Sequence, residues 1–231
     1  MGTAADPGGR RLAATGVNRS AGATRRRTGH SHRTGIRLVC PGMDSPNFLA
    51  GRLLLALPGM FDPRFSRAVV ALCIHDANGA FGINVGQHHD DITFRRVLED
   101  AGIPPGDRPE VLDAPVHLGG PVEPQRGFVL HSPDWGGAGT VAVDPLCALS
   151  FSHDVLRAIA EGRGPSQWLF ALGYAGWGEG QLEEELHHHG WHVAAGRSDI
   201  LFEVPAAQRW ARTWQAEGID PALLAHETGN A

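Results

Sequence analysis

Gly173, Gly176, Gly178 and Gly180 separate an apolar run from an acidic segment with helical spacing, and this junction limits the fold more than any other stretch. The run Trp168-Leu169-Phe170-Ala171-Leu172 is continuous, as in a strand covered on both faces. Glycines permit left-handed backbone and close approach of chains, so their cluster predicts a sharp strand-to-helix turn. Leu182 and Leu186 then fall at i and i+4. Glu179, Glu183, Glu184 and Glu185 gather at the start of that helix, where acids suit the positive end of the dipole. The turn could bind an anion on the opening N–H groups, with Gln181 in the first turn. Tyr174 and Trp177 could stack on a ring. Against both uses, Glu179 already supplies negative charge, and aromatics beside glycines commonly fill the space the glycines leave.

A length of 231 residues suggests one domain or two small ones. Charge divides it unevenly. Residues 1–42 hold eight Arg and one Asp, a net of +7, whereas residues 43–231 hold 12 Arg and 24 acids, a net of −12. The first segment has almost no apolar period and reads as a disordered, Arg-rich extension. It could be a basic arm for nucleic acid, a targeting peptide, or the product of an over-long reading frame with the start at Met43. All 20 basic residues are Arg. Cys40, Cys73 and Cys147 are an odd number without paired spacing, which points to reduced thiols in a cytoplasm. No apolar stretch reaches the ~18 residues of a membrane span.

From Met43 the pattern becomes that of a folded domain. Leu53–Leu57, Ala68–Ile74 and Ala80–Val85 read as strands, the last two joined by a hairpin at Asn78-Gly79. Phe94–Ala101 reads as a helix ended by Gly102. Val116–Leu118, Phe128–His131, Thr140–Val143 and Leu146–Phe151 are further strands, and Ser152 is placed to cap a helix ended by Gly162. Trp191–Val193 and Ile200–Val204 read as extended, Ala206–Glu217 as an amphipathic helix, and Pro221–His226 as a last turn. The irregular order of strands and helices, with an antiparallel hairpin, predicts a mixed α/β (α+β) domain over residues 43–231 with a mixed sheet flanked by helices.

Several clusters carry residue types that do chemistry. Gly119-Gly120-Pro121 follows a strand, and its backbone N–H groups could form an anion-binding nest. Arg126 and His131 lie close enough in sequence to converge on the same phosphate or carboxylate. The pattern lacks the Lys and spacing of a phosphate-binding P-loop. Ser150-Phe151-Ser152-His153-Asp154 has the residues of a nucleophile triad, but neighbours in sequence cannot generally meet in triad geometry. His75-Asp76 could be an oriented base or a turn. His88-His89-Asp90-Asp91 and His187-His188-His189 with His192 invite a metal, yet the i, i+4 spacing of a helical His pair is absent, and a solvated surface explains them.

Four segments, in order, resemble the AlgH/YqgE family of bacterial proteins. They are Gly51–Ala56 with Phe61-Asp62-Pro63-x-Phe65, Val116–Val122, Arg126–His131, and Gly173-Tyr174-Ala175-Gly176-Trp177-Gly178-x-Gly180-Gln181-Leu182-Glu183-x-Glu185. The resemblance spans about residues 46 to 231. It implies a compact α/β fold whose branched sheet curls towards a barrel, and it implies neither metal nor cofactor. One family member is labelled a regulator of alginate synthesis. The third strand departs from the family, reading Ile83-Asn84-Val85-Gly86-Gln87 where an Asn-Arg-Pro-like segment is usual. An acidic ligand held by that Arg would be lost here.

The sequence therefore leads to a cytoplasmic, non-enzymatic protein of regulatory or interaction type, without cofactor or membrane contact. The expected groove is lined by Gly119, Gly120, Arg126, His131, Tyr174, Trp177 and Gln181. Its partner is an unknown protein or a small anionic ligand. An enzyme or sensor for an anionic metabolite, a hydrolase among the options, requires Arg126, His131 and His75 in one pocket. A DNA-binding regulator is a third reading, opposed by the acidic domain and left to residues 1–42. The interaction reading predicts an exposed aromatic patch at Trp177.

Overall fold

The computed structural model describes residues 49–224 apart from Phe61 and His189. The expectations for residues 1–42 and for a start at Met43 lie outside the described residues. The chain divides into Met1–Val39 and Cys40–Ala231, and the described residues all belong to the second part.

Three apolar runs open the domain as β1 (Leu53–Ala56), β2 (Val69–Asp76) and β3 (Gly79–Asn84). Asp76 pairs with Gly79 across a tight hairpin, as the Asn-Gly pair predicts, and the Asp76 carboxylate accepts the Asn78 N–H at 2.7 Å. The polar β4 (His88–Thr93) runs directly into α1 (Phe94–Asp100). The short α2 (Pro109–Leu112) leads to β5 (Pro115–Leu118), then β6 (Val122–His131), β7 (Thr140–Val143) and β8 (Cys147–Ser150). The remainder is α3 (His153–Ala160), β9 (Trp168–Gly178), α4 (Gln181–His187), β10 (Trp191–Ala194), α5 (Ser198–Glu203), α6 (Ala206–Ala216) and α7 (Pro221–Leu224).

The ten strands form one branched sheet ordered β10-β1-β2-β3-β9-β6-β8-β7, with β5 joined to β9 and β4 joined to β5. Its pairings are antiparallel except for β5 against β9. The branch lies on β9. Residues Phe170–Leu172 pair with β5 on one edge, and further along that strand Ala175–Gly178 pair with β3. β6 follows the other edge, out of register between Val122 and Gly127, where Glu123–Arg126 bulge away. The sheet curls into a half-barrel. A Cβ at Gly51, before β1, would strike the Asp144 carbonyl of the β7–β8 turn, and one at Gly196, after β10, would strike the Gly51 carbonyl.

Both faces of the curl are covered. The inner core gathers Leu53, Leu55, Phe81, Phe128, Leu130 and Tyr174 from the strands with Ile200, Leu201 and Trp214 from α5 and α6. Each large side chain buried there contributes roughly 1.5–3 kcal/mol. On the opposite face α1, α2 and α3 pack on Val116, Val129 and Phe170, and a third cluster seats Leu182 of α4 against Trp177 and Trp191.

Two expectations about elements are corrected. The expected strand, turn and helix are present, but the turn is confined to Glu179-Gly180: β9 continues to Gly178, and Gly173 serves a close crossing of chains rather than a turn. Residues Ile200–Val204, expected as a strand, lie in or just after α5. Ile200 and Leu201 are adjacent and buried in the same core, which a strand, sending neighbours to opposite faces, could not provide.

Candidate functional site

The expected groove is filled by its own residues. Gly119 stands where β3, β5 and β9 meet. Its N–H donates to the Leu172 carbonyl at 2.8 Å, and its carbonyl accepts the Asn84 N–H at 2.8 Å. A Cβ at Gly119 would strike the Gly173 carbonyl, and one at Gly120, where φ is +151°, would strike the Tyr174 backbone. These glycines let two chain segments cross at van der Waals distance and leave no nest for an anion.

The aromatic residues are equally engaged. Tyr174 is buried between Phe81 and Phe128, with ring centroids at 4.8 and 5.9 Å, and burial raises its phenol pKa. Trp177 is 3% exposed, so the aromatic patch expected there does not form. Its indole N–H donates to Glu185 Oε2 at 2.8 Å, and the Trp191 indole donates to the same oxygen at 2.9 Å. Gln181 donates to Glu185 Oε1 at 3.0 Å and accepts the Gly178 N–H at 3.0 Å. The signature residues thus clamp α4 across β9 and β10.

His131 is wholly buried at the end of β6. Its Nδ1 lies 2.7 Å from the Ser132 carbonyl, which can only accept, so Nδ1 carries the proton and Nε2 accepts from the Ser150 hydroxyl at 2.9 Å. Ser150 in turn meets the Thr140 hydroxyl at 2.8 Å. Burial pushes the imidazole pKa down. The chain of bonds joins β6, β7 and β8, and the buried Ser150 at its centre borders the groove on the α3 side of the sheet. Arg126 pairs with Glu123 at 3.0 Å and stacks over Phe128 at 5.4 Å. His75 bonds Glu183 of α4 at 2.7 Å. It is in register, through Ala80, with Trp177, while His131 is in register with Trp168. Nine residue steps of β9 separate those positions, roughly 30 Å of strand, so the pocket required by the enzyme reading does not assemble from these groups. Ser152 takes the N-cap position of α3 without a side-chain capping bond.

A groove of about 880 Å³ does open on the other face, between the β4–α1 segment and α3. Val129, Phe170 and Leu172 line its floor; His89, Asp91, Arg96 and Asp100 stand on one wall, Phe151, Ser152, His153 and Leu156 on the other, and the β6 bulge with Gln125 and Arg126 closes an end. Of the residues expected at the site, Arg126 alone lies here. Floor positions follow from register. Leu172 and Gly127 are neighbours across β9 and β6, with Phe170 and Val129 in the next row, and Leu118 and Val116 of β5 extend these two rows beyond the groove lining. At Gly127 a Cβ would collide with the Phe170 ring, so the glycine lets that ring lie against the sheet. The sequence signal for this wall was the polar run His88–Asp91, whose charged residues hide the period of a strand.

Arg209 on α6 also escaped the sequence reading. It is buried, and its guanidinium donates to the Val85 carbonyl at 2.6 Å, the Val204 carbonyl at 3.0 Å and His117 Nε2 at 2.9 Å. Burial lowers its pKa to about 10. Burial first, and then the Arg209 charge, push His117 down to about 3, so this imidazole stays neutral as an acceptor, with its Nδ1 donating to the Phe170 carbonyl at 3.3 Å. Arg209 therefore pins α6 to the segment after β3, where the sequence departs from the family pattern. Among the described residues no cluster of three His, Cys, Asp or Glu is placed to hold a metal ion.

The family model described as AlgH-like matches residues 53–222. The chain belongs to the AlgH-like family. A UPF0301 protein of Novosphingobium aromaticivorans is 60% identical over 189 residues, covering 82% of this chain and 100% of the relative. One from Sphingopyxis alaskensis is 52% identical over 187 residues, covering 81% and 98%. The solution structure of AlgH from Pseudomonas aeruginosa matches with a TM-score of 0.66 and 34% identity, over 83% of this chain and 100% of that one. The crystal structure of DIP2367 from Corynebacterium diphtheriae, at 20% identity and a TM-score of 0.61 over 79% and 94%, shares the fold. The AlgH-like family, and the mixed, branched sheet curled towards a barrel that the resemblance implies, are borne out. No helix among the described residues is long and apolar enough to cross a membrane.

Proposed function

We propose that the protein is a non-catalytic binding module of regulatory or interaction type that works in the cytoplasm through the groove between α1 and α3. One observation carries this reading: the groove of about 880 Å³ has an apolar floor and a polar rim open to a ligand, whereas the motif residues bond one another. Its volume suits a small molecule or a short peptide segment. Cys73 and Cys147 are buried free thiols, which agrees with a reducing compartment. A net of −12 over residues 43–231 opposes nucleic acid on the domain itself.

The test is a thermal-shift screen of the full chain against short peptides and metabolites, with ester hydrolysis assayed in parallel. A ligand that raises Tm by about 5 °C or more near saturation and shifts amide resonances of groove residues supports the reading. Turnover that disappears in Ser150→Ala would replace it with a hydrolase.

A further inference from the structure

We infer that the groove takes a peptide segment bearing an Arg or Lys beside apolar side chains, an inference that rests on the groove being the binding site. The rim shows the sign of the charge it lacks. Arg96 is held by Asp100 at 3.0 Å and Arg126 by Glu123 at 3.0 Å. Each arginine is answered by an acid within its own element. Asp91 has no such partner. It is exposed on the β4 wall, and its carboxylate forms no hydrogen bond or ion pair among the described residues. Each guanidinium of the rim already faces a carboxylate, whereas a cationic ligand meets at Asp91 a carboxylate already bare. The net of −12 over residues 43–231 adds a field of the same sign, which speeds encounter with a positive partner.

The apolar half of the recognition lies beside it. Leu118 is 37% exposed, one of two large hydrophobic residues so exposed among those described. It is in register with the half-buried Leu172 on the groove floor and, beyond it, with Gly127, which adds no side chain above the sheet. β5, which carries Leu118, pairs with β4, which carries Asp91. A carboxylate and an exposed leucine strip on adjacent strands suit a segment whose cationic and apolar side chains act together. A metal ion would use the carboxylate but not the leucines, and a neutral lipid the leucines but not the carboxylate.

The test uses the full chain and a short fluorescein-labelled peptide of alternating Leu and Arg, with two control peptides, Glu replacing Arg and Ser replacing Leu. Anisotropy should show the Leu/Arg peptide binding at least about tenfold more tightly than either control. Asp91→Asn should weaken it about three- to fivefold, the scale of one exposed ion pair, and Leu118→Gln by a similar factor, both with unchanged Tm. Glu179→Gln removes the same charge at the β9–α4 turn and should change affinity less than twofold. Equal binding of the Glu peptide, or equal losses from Asp91→Asn and Glu179→Gln, overturns the cationic inference but leaves the groove as the site. Binding that ignores both Asp91→Asn and Leu118→Gln while shifting amides elsewhere overturns the groove as well. Failure of the Leu/Arg peptide to bind overturns the inference.

Discussion

The junction of β3, β5 and β9 and the groove between α1 and α3 lie on one strand, β9, and use sequence in opposite ways. At the junction, rare choices are concentrated: paired glycines at 119 and 120, Gly173, Trp177, Gln181 and Glu185. Each meets another part of the chain, through a backbone crossing or through the shared carboxylate of Glu185. In the groove the residues are ordinary, among them Val129, Leu172, Asp91 and Arg96, and the surface they make is open. The most distinctive motif of the chain is therefore architectural, and the surface available to a ligand is built from residues without a signature.

The sharpest way to break that contrast is to add one methyl group at the junction. Gly119→Ala puts a carbon onto the Gly173 carbonyl, a backbone atom that cannot swing aside. The expected loss is about 4 kcal/mol or more, a fall in Tm of about 10 °C or more in thermal unfolding. Glu185→Ala strips the acceptor from two buried indoles and from Gln181. It should cost about 3 kcal/mol by urea denaturation, and Glu185→Gln, which keeps one acceptor oxygen, less.

Acid tests the Arg209–His117 contact beside the same junction. His117 titrates near 3 in the folded chain against an ordinary value of 6.5. As pH falls below 6.5 the unfolded chain takes up this proton first, so its contribution to stability is present above 6.5 and is lost progressively towards 3. The expected loss at pH 5 is about 2 kcal/mol, with His131 acting in the same direction. His117→Gln should be less stable at pH 7 and show a shallower decline between pH 7 and 5. The smallest effect is expected at Gly180, where φ is +71° and no atom would meet a Cβ. Gly180→Ala should cost only about 1 kcal/mol, the strain of a left-handed alanine. A large loss there would show that the motif glycines act through something other than crossing backbones.

Much of the fold was legible because period and punctuation carry it. The Asn78-Gly79 hairpin, the continuous strand from Trp168 and the helix at Phe94 all follow from spacing and turn residues. The four motif segments gave the family and, with it, the curled sheet. The turn at Glu179-Gly180 was legible, but the role of Gly173 was not: glycine serves a turn and a close crossing equally well, and only the partner segment distinguishes them. The site was harder to read. A buried Arg209 looks like any surface arginine of an amphipathic helix, because its acceptors at Val85 and His117 are 124 and 92 residues away in sequence. The groove arises from register between β5, β9 and β6, which no local pattern encodes.

The most direct measurement is an amide chemical-shift map of the full chain titrated with the Leu/Arg peptide. Perturbations should centre on Asp91, Leu118, Leu172 and Leu156, with Trp177, Gln181 and Glu185 unmoved. Perturbations centred instead on Tyr174–Gln181 and Gly119–Gly120 would contradict the division between an architectural motif and an open groove.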